Sequence, residues 1–174
     1  MNKIYPFKQA IITGVASAIF ATAAFAIFIT LNRNFDWQAN PSSARGFIGL
    51  LSLIILGVGI YTGMQAVKSA NSRLSYGRAV AVGFLIGLTT GIIMSVIGFI
   101  YTNYINPEYV PYMVAEAKKA LMGDGKDSQQ IAIGLNGIKQ QLSPAGQIFQ
   151  AMVGQTVAGT VIALIMGTFI RTKN

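Results

Sequence analysis

The chain alternates long apolar stretches with short polar ones. Residues 10–31, 46–67, 79–104 and 145–170 hold no ionisable side chain other than tyrosine, over 22, 22, 26 and 26 positions. A bilayer core of about 30 Å is crossed by about 20 helical residues, at about 1.5 Å of rise each. All four windows are long enough, the last two with tilt or an extension beyond the lipid. Lipid satisfies no backbone N–H or C=O, so a continuous helix is the economical way across. The pattern predicts four membrane spans.

The polar segments predict the rest of the architecture. Residues 32–45 form a short loop, in which Asn40-Pro41-Ser42-Ser43 reads as a turn before the second helix. The link Lys68-Ser69-Ala70-Asn71-Ser72-Arg73 is polar and basic, and leads through Leu74-Ser75-Tyr76-Gly77-Arg78 into the third span. Residues 105–143 are the one large segment outside the apolar windows. Asn106-Pro107-Glu108 is a helix-start signature, with Pro111 as an alternative start because it lacks an N–H. Val110, Met113, Val114, Ala117 and Leu121 make one apolar stripe, and Gly123-Asp124-Gly125 ends it. Ile131, Leu135, Ile138 and Leu142 make a second, interrupted by Gly134 and Gly137; Ser143-Pro144 then caps the last span. The expected fold class is all-α: a single membrane domain over residues 1–174, built as a four-helix antiparallel bundle. An extracytoplasmic amphipathic helical hairpin joins the third and fourth spans.

A signal peptide competes with the first span, because Lys3 and Lys8 precede an apolar run and Ala24-Phe25-Ala26 fits a cleavage site. The run continues through Ile27-Phe28-Ile29-Thr30-Leu31, where a mature soluble terminus would turn polar, so a retained helix is the favoured reading.

Charge sets the orientation. Lys3, Lys8, Lys68, Arg73, Arg78, Arg171 and Lys173 lie on one side with no acid among them. The other side carries Arg33, Arg45, Lys118, Lys119, Lys126 and Lys139, with all five acids: Asp36, Glu108, Glu116, Asp124 and Asp127. Short, span-proximal cationic segments stay inside, so both termini are expected in the cytoplasm. Tyr5, Phe7 and Tyr76 would sit at the inner interface, and Phe35, Trp37, Tyr101 and Tyr104 at the outer one.

Composition removes most chemistry. The chain is 53% hydrophobic and 10% charged, with 19 glycines and neither cysteine nor histidine. That removes disulfides, thiolate metal sites and the commonest general base and metal ligand. The five acids are too scattered for an acid–base pair or a metal site, and no phosphate loop, zinc motif or nucleophile elbow occurs. Lys68-Ser69 reads as two polar residues of a linker rather than a catalytic dyad. No carboxylate, Lys, Arg or His sits in the middle of a span to carry protons or hold an ion, which disfavours a pump. The basic balance reflects topology, so no nucleic-acid partner is expected, and neither is any metal or cofactor.

What remains is a pattern of small residues. Gly83, Gly87, Gly91 and Ser95 recur every fourth position on one helix face, the spacing that lets membrane helices approach closely. The first span repeats it more weakly at Gly14, Ala18, Thr22 and Ala26; the second has Gly59 and Gly63, and the fourth has Gly159, Ala163 and Gly167. Packing within the chain's own bundle is the favoured reading, with a groove for a partner helix or lipid chain as the other. The gapless match of residues 7–14 to residues 76–83 raises a parallel duplication of two helical hairpins, against the blander reading that such spacing is common on packed helices. Embedded neutral groups (Gln65, Thr89, Thr90, Gln147, Gln150, Gln155, Thr156 and Thr160) are read as helix bridges before pathway linings. Lys68, Arg73 and Arg78 are read as topology signals first, and as contacts for a lipid phosphate second.

The run Leu74-Ser75-Tyr76-Gly77-Arg78-Ala79-Val80-Ala81-Val82-Gly83, followed by Tyr101-Thr102-Asn103-Tyr104-Ile105-Asn106-Pro107-Glu108, resembles a family of small bacterial membrane proteins. That family is catalogued as domain of unknown function 4199, of Bacteroidota type. The resemblance covers nearly the whole chain and implies four helices with a charged helical loop before the last. Asn106 stands where the family pattern has aspartate, and Arg78 where it has glutamine. No catalytic residue carries over. Proximity of such genes to membrane glycosyltransferases implies an accessory role in envelope sugar chemistry. The expectation is therefore a non-enzymatic accessory protein that packs against itself or another membrane protein and against membrane lipid. A passive carrier or flippase of a lipid or small apolar molecule, acting as an oligomer, is the alternative.

Overall fold

The computed structural model describes residues 6–32 and 41–172, with side chains for residues 6–24 and 49–172. Six α-helices follow one another among the described residues: α1 (Phe7–Asn32), α2 (Pro41–Asn71), α3 (Tyr76–Ile100), α4 (Tyr109–Gly123), α5 (Ser128–Leu142) and α6 (Pro144–Ile170). No strand occurs among those residues. Helices α1, α2, α3 and α6 are long and apolar enough to cross a membrane. The Ala24-Phe25-Ala26 triplet lies inside the continuous α1. Lys3, Tyr5, Arg33, Phe35, Asp36, Trp37 and Lys173 lie outside the described residues, as does the side chain of Arg45.

Helix ends follow local chemistry. Ser75 caps α3, its side chain accepting from the Arg78 N–H. Asp127 and Gln130 form a reciprocal capping box on α5. Ser143 accepts from the Gly146 N–H, and Pro144 takes the first turn of α6, where a missing N–H costs nothing. Two boundaries differ from the sequence reading. Helix α2 already begins at Pro41, so Ser42 and Ser43 are helical; proline suits a first helical position. Helix α4 begins at Tyr109, which places Pro111 within the first turn, where its N–H is not needed. Gly125 has φ 70°, a left-handed conformation that lets the chain reverse between α4 and α5.

Helix α3 is the hub, packing on α6, α1 and α2, with its largest contact on α6. Gly83 lies against Gly159 and Ala163, Gly87 against Gln155 and Thr156, and Gly91 against Ala151 and Met152. Positions rising along α3 meet positions falling along α6, so this pair is antiparallel. The approach is backbone on backbone: a Cβ on Gly83 would stand 2.6 Å from the Gly159 carbonyl oxygen, and one on Gly159 would stand 2.7 Å from that of Gly83. On its other sides α3 sends Val82 and Ile86 against Gly63 of α2, and Ile93 against Gly14 of α1. Gly59 of α2 makes room for the Thr13 side chain of α1, and Gly167 of α6 sits against Ala79 and Tyr76. Gly14 thus faces α3 while its sequence match Gly83 faces α6, so the matched positions do different jobs.

The buried core comprises Ala10, Leu56, Ile60, Met64, Val67, Leu74, Ala79, Val82, Ile86 and Ala163. Among the described residues it gathers near the end where α2 turns into α3. At that end Leu74 and Thr172 are clasped twice: the Thr172 N–H donates to the Leu74 carbonyl, and the Leu74 N–H donates to the Thr172 hydroxyl, both at 3.0 Å. A substitution that adds a methyl at the α3–α6 contact must push backbone apart. Gly87→Ala is expected to cost about 1–3 kcal/mol of stability. Gly154→Ala, on an α6 position with no atom within 4 Å of the new Cβ, should be neutral or gain up to about 1 kcal/mol. Thermal unfolding of the two variants in the same detergent checks the contrast.

Candidate functional site

Three of the cations expected at the inner surface, Lys68, Arg73 and Arg78, lie at the core end but play different parts. Lys68 donates from Nζ to the Ile170 carbonyl at 3.2 Å. That carbonyl belongs to the last turn of α6, where four C=O groups lack helical partners and the dipole favours a cation. Lys68 therefore closes the end of α6. Arg73 and Arg78 are exposed beside it. At the opposite end, Lys119 pairs with Glu116 at 2.7 Å on the surface of α4. The hydrogen bond that Lys119 donates to Glu116, and then the Glu116 charge, raise the pKa of the Lys119 ammonium above its ordinary value. Among the described residues no group of three Asp or Glu gathers where a metal ion would be held.

The embedded hydroxyls mostly bond within their own helices. Thr13, Thr89, Thr156 and Thr160 each donate to the carbonyl four residues back. Ser95 does the same to Gly91. The buried hydroxyls of Ser17 and Thr90 have no partner among the described residues. Two glutamines hold structure together instead. Gln147 Nε2 donates to the Leu142 carbonyl at 2.6 Å, and Gln150 Nε2 donates to the Gln141 carbonyl at 3.2 Å. They satisfy carbonyls that the end of α5 leaves open, and so pin α5 to the start of α6.

The clearest irregularity lies where α3 ends. Residues Tyr101–Ile105 form a π-helical turn, with the Asn106 N–H donating to the Tyr101 carbonyl at 2.7 Å. One residue too many per turn shifts the register, so consecutive Tyr101 and Thr102 both turn inward and are buried. The Thr102 hydroxyl lies 3.4 Å from Gln147 Oε1, and Asn106 Nδ2 donates to the Tyr101 hydroxyl at 3.1 Å. Tyr101 also packs edge-on against Tyr109 of α4.

This polar knot separates two hollows. On one side a cleft of about 170 Å³ runs between Ala18, Ala21 and Thr22 of α1 and Met94, Ile97 and Gly98 of α3, and closes on Tyr101, Thr102 and Gln147. On the other, a hollow of about 300 Å³ lies among Asn103, Val110, Lys139 and Ser143, and again reaches Thr102 and Gln147. The first is walled mostly by small and aliphatic side chains; the second is more polar and holds a cation. Ala18, conspicuous in the sequence for its spacing, lines the first hollow. Gly83, Gly87, Gly91, Gly159 and Gly167 are covered by helix contacts inside the chain, and Gly14, Gly59 and Gly63 likewise. Thr102, Gly98 and Lys139 carry no sequence signal of their own: nothing there announces a π turn, and only the turn brings Thr102 opposite Gln147.

The geometry separates the cations by experiment. Lys68→Gln should lower stability by about 0.5–1 kcal/mol through the lost helix end. Arg73→Gln and Arg78→Gln should each stay within about 0.5 kcal/mol, as exposed substitutions do. Unfolding in one detergent at fixed ionic strength reads all three.

No curated relative and no solved structure matches the chain. A family model does, over residues 8–172, from the first turn of α1 through the Leu74–Thr172 clasp. That match takes in all six helices almost entire, and by it the chain belongs to the family described as Protein of unknown function (DUF4199).

Proposed function

We propose that this is a multi-pass protein of the bacterial inner membrane, acting without catalysis of its own as an accessory to another membrane protein of the envelope. In this reading the four long helices form an antiparallel bundle, both chain ends are cytoplasmic, and α4 and α5 form the hairpin outside. The acid-free cationic end and the acid-bearing hairpin end support that placement. The α3–α6 glycine contact supplies stiffness, since its small residues are engaged within the chain, and the partner surface then lies elsewhere.

One observation carries the reading. Helices α4 and α5, of 15 residues each, are too short to span, yet they expose Met122 and Ile133, 59% and 66% accessible. Their half-buried stripes face each other, with Leu121 against Gly134, so the exposed apolar side chains are not spent on the hairpin's own packing. Outside the lipid such groups are best covered by another protein. A link to envelope glycan or lipid metabolism fits a surface on that side.

A second reading, a passive carrier of a lipid working as an oligomer, is favoured by the cleft beside Thr102. It predicts lipid flux through vesicles that falls when Arg73 and Arg78 are both changed to glutamine; unchanged flux removes it.

For the accessory reading, in-cell crosslinking followed by mass determination is the test. Met122→Asp with Ile133→Asp should remove the crosslinked partner or second copy while the chain stays membrane-inserted. A partner that persists at wild-type yield moves the contact off the hairpin and overturns the reading.

A further inference from the structure

The two hollows on either side of Thr102 differ in chemistry in a way that fits one kind of molecule. The cleft between α1 and α3 is apolar along its walls and ends on hydroxyl and amide groups. The adjoining hollow holds Lys139, which makes no ion pair with any described carboxylate, and it is bordered by Ser143 and Pro144 at the positive end of the α6 dipole. Thr102 and Gln147 line both, so an apolar hollow and a cationic one adjoin on either side of that pair. An apolar-walled hollow of about 150 Å³ takes a ring the size of benzene. The cleft therefore has room for a short run of an alkyl chain, with the rest lying along the outside of the helices.

Gly98 supplies an independent observation. It lies in α3, lines the cleft, and a Cβ there would meet no atom within 4 Å. Glycine inside a helix costs about 0.5–1 kcal/mol relative to alanine. At Gly83, Gly87 and Gly91 the close approach of α6 accounts for that cost; at Gly98, as at Gly77, Gly137 and Gly154, none of the described residues does, and of these four only Gly98 lines the cleft. The space it leaves belongs to the cleft.

Depth agrees with both. Counting from Arg78 at the basic end, about 20 helical residues bring α3 to Gly98 after about 30 Å, the thickness of the hydrocarbon core. Tyr101, Tyr104 and Tyr109 then lie at the interface, and Lys139 among headgroups.

We infer that these adjoining hollows bind one anionic phospholipid of the outer leaflet, an acyl chain lying in the cleft beside Ala21 and Gly98 and its phosphate meeting Lys139 across the Thr102–Gln147 pair. The inference rests on the membrane placement proposed above and on neither functional reading, since a resident and a carried lipid would seat alike. It is distinct from the headgroup contact considered for Arg73 and Arg78, which lie at the opposite end of α3.

The test weighs the intact full-length protein released from nanodiscs of phosphatidylcholine containing a minor share of phosphatidylglycerol. The wild type is expected to retain one phosphatidylglycerol per chain in preference to phosphatidylcholine. Lys139→Gln should lower that preference by about tenfold, the factor for one lost charge-assisted hydrogen bond. Lys118→Gln, on α4 and away from the hollow, should leave it unchanged. Gly98→Leu should abolish retention of either lipid, with helix content and thermal midpoint as in the wild type; Ala21→Ile plugs the opposite wall if that variant folds poorly. Retention at wild-type levels in a folded plug variant overturns the site, as does equal behaviour of Lys139→Gln and Lys118→Gln. Retention of only a free single-chain acid overturns the phospholipid assignment. Labelling of a single introduced thiol, Asn136→Cys, reports separately which side of the membrane the hairpin occupies, so a failed placement is told apart from a failed site.

Discussion

Where Gly83 meets Gly159, the carbonyl oxygen of each stands within 2.6–2.7 Å of the place a Cβ on the other would occupy, so no other residue pair permits this spacing without moving a backbone. Apolar surface gains little by leaving lipid for protein, and membrane helices associate instead through close packing and the contacts that small residues allow. The α3–α6 approach is the largest contact among the described residues. Because it continues through Gly87 and Gly91, α3 is held along more than two turns and becomes the fixed axis on which α1 and α2 lean. Val82, Ile86 and Ile93 project from that axis into spaces left by Gly63 and Gly14. The bulky side chains thus belong to the hub and the vacancies to its neighbours, the reverse of the α3–α6 face.

Such rigidity has a consequence at the other end of α3. A helix clamped along one face cannot rotate freely to reorient its last turn, and the π turn at Tyr101–Ile105 changes the register locally instead. The side chains it redirects meet Gln147, which is already tied to the Leu142 carbonyl. One amide therefore joins the ends of three helices: α3 through Thr102, α5 through Leu142, and α6 to which it belongs. The hairpin is positioned by this knot and by the Gln150 bond to Gln141 more than by burial, since α5 buries no residue.

The two ends of the molecule divide the chemistry between them. At the basic end Lys68 closes α6 and Thr172 clasps Leu74, while Arg73 and Arg78 stay exposed. At the hairpin end the groups remain available. Lys139 has no ion-pair partner among the described residues, and Met122 and Ile133 are uncovered. Recognition, whether of lipid or of protein, is accordingly proposed at the hairpin end, while the opposite end contributes anchoring and orientation.

Much of the architecture was readable directly. Charge-free windows locate the long helices because lipid tolerates neither a bare backbone nor an unpaired charge. Ser75, Asp127 and Ser143 mark helix starts because capping is a local bond between residues three apart. The family was legible too, in the residues around Ser75-Tyr76-Gly77 and Tyr101–Glu108. The four-residue spacing of Gly83, Gly87 and Gly91 announces a close contact, since it lies on one helix face, but a face has no address: α6, a second copy or a lipid chain would select the same residues. Only the tertiary structure decides that α6 fills it. The cleft is decided there as well. Gly98, Thr102, Gln147 and Lys139 come from separate parts of the chain, and the π turn that unites them depends on how α3 is held and not on any local motif. Local bonds and the demands of lipid are written residue by residue; which surfaces meet, and what space they leave between them, is a property of the folded whole.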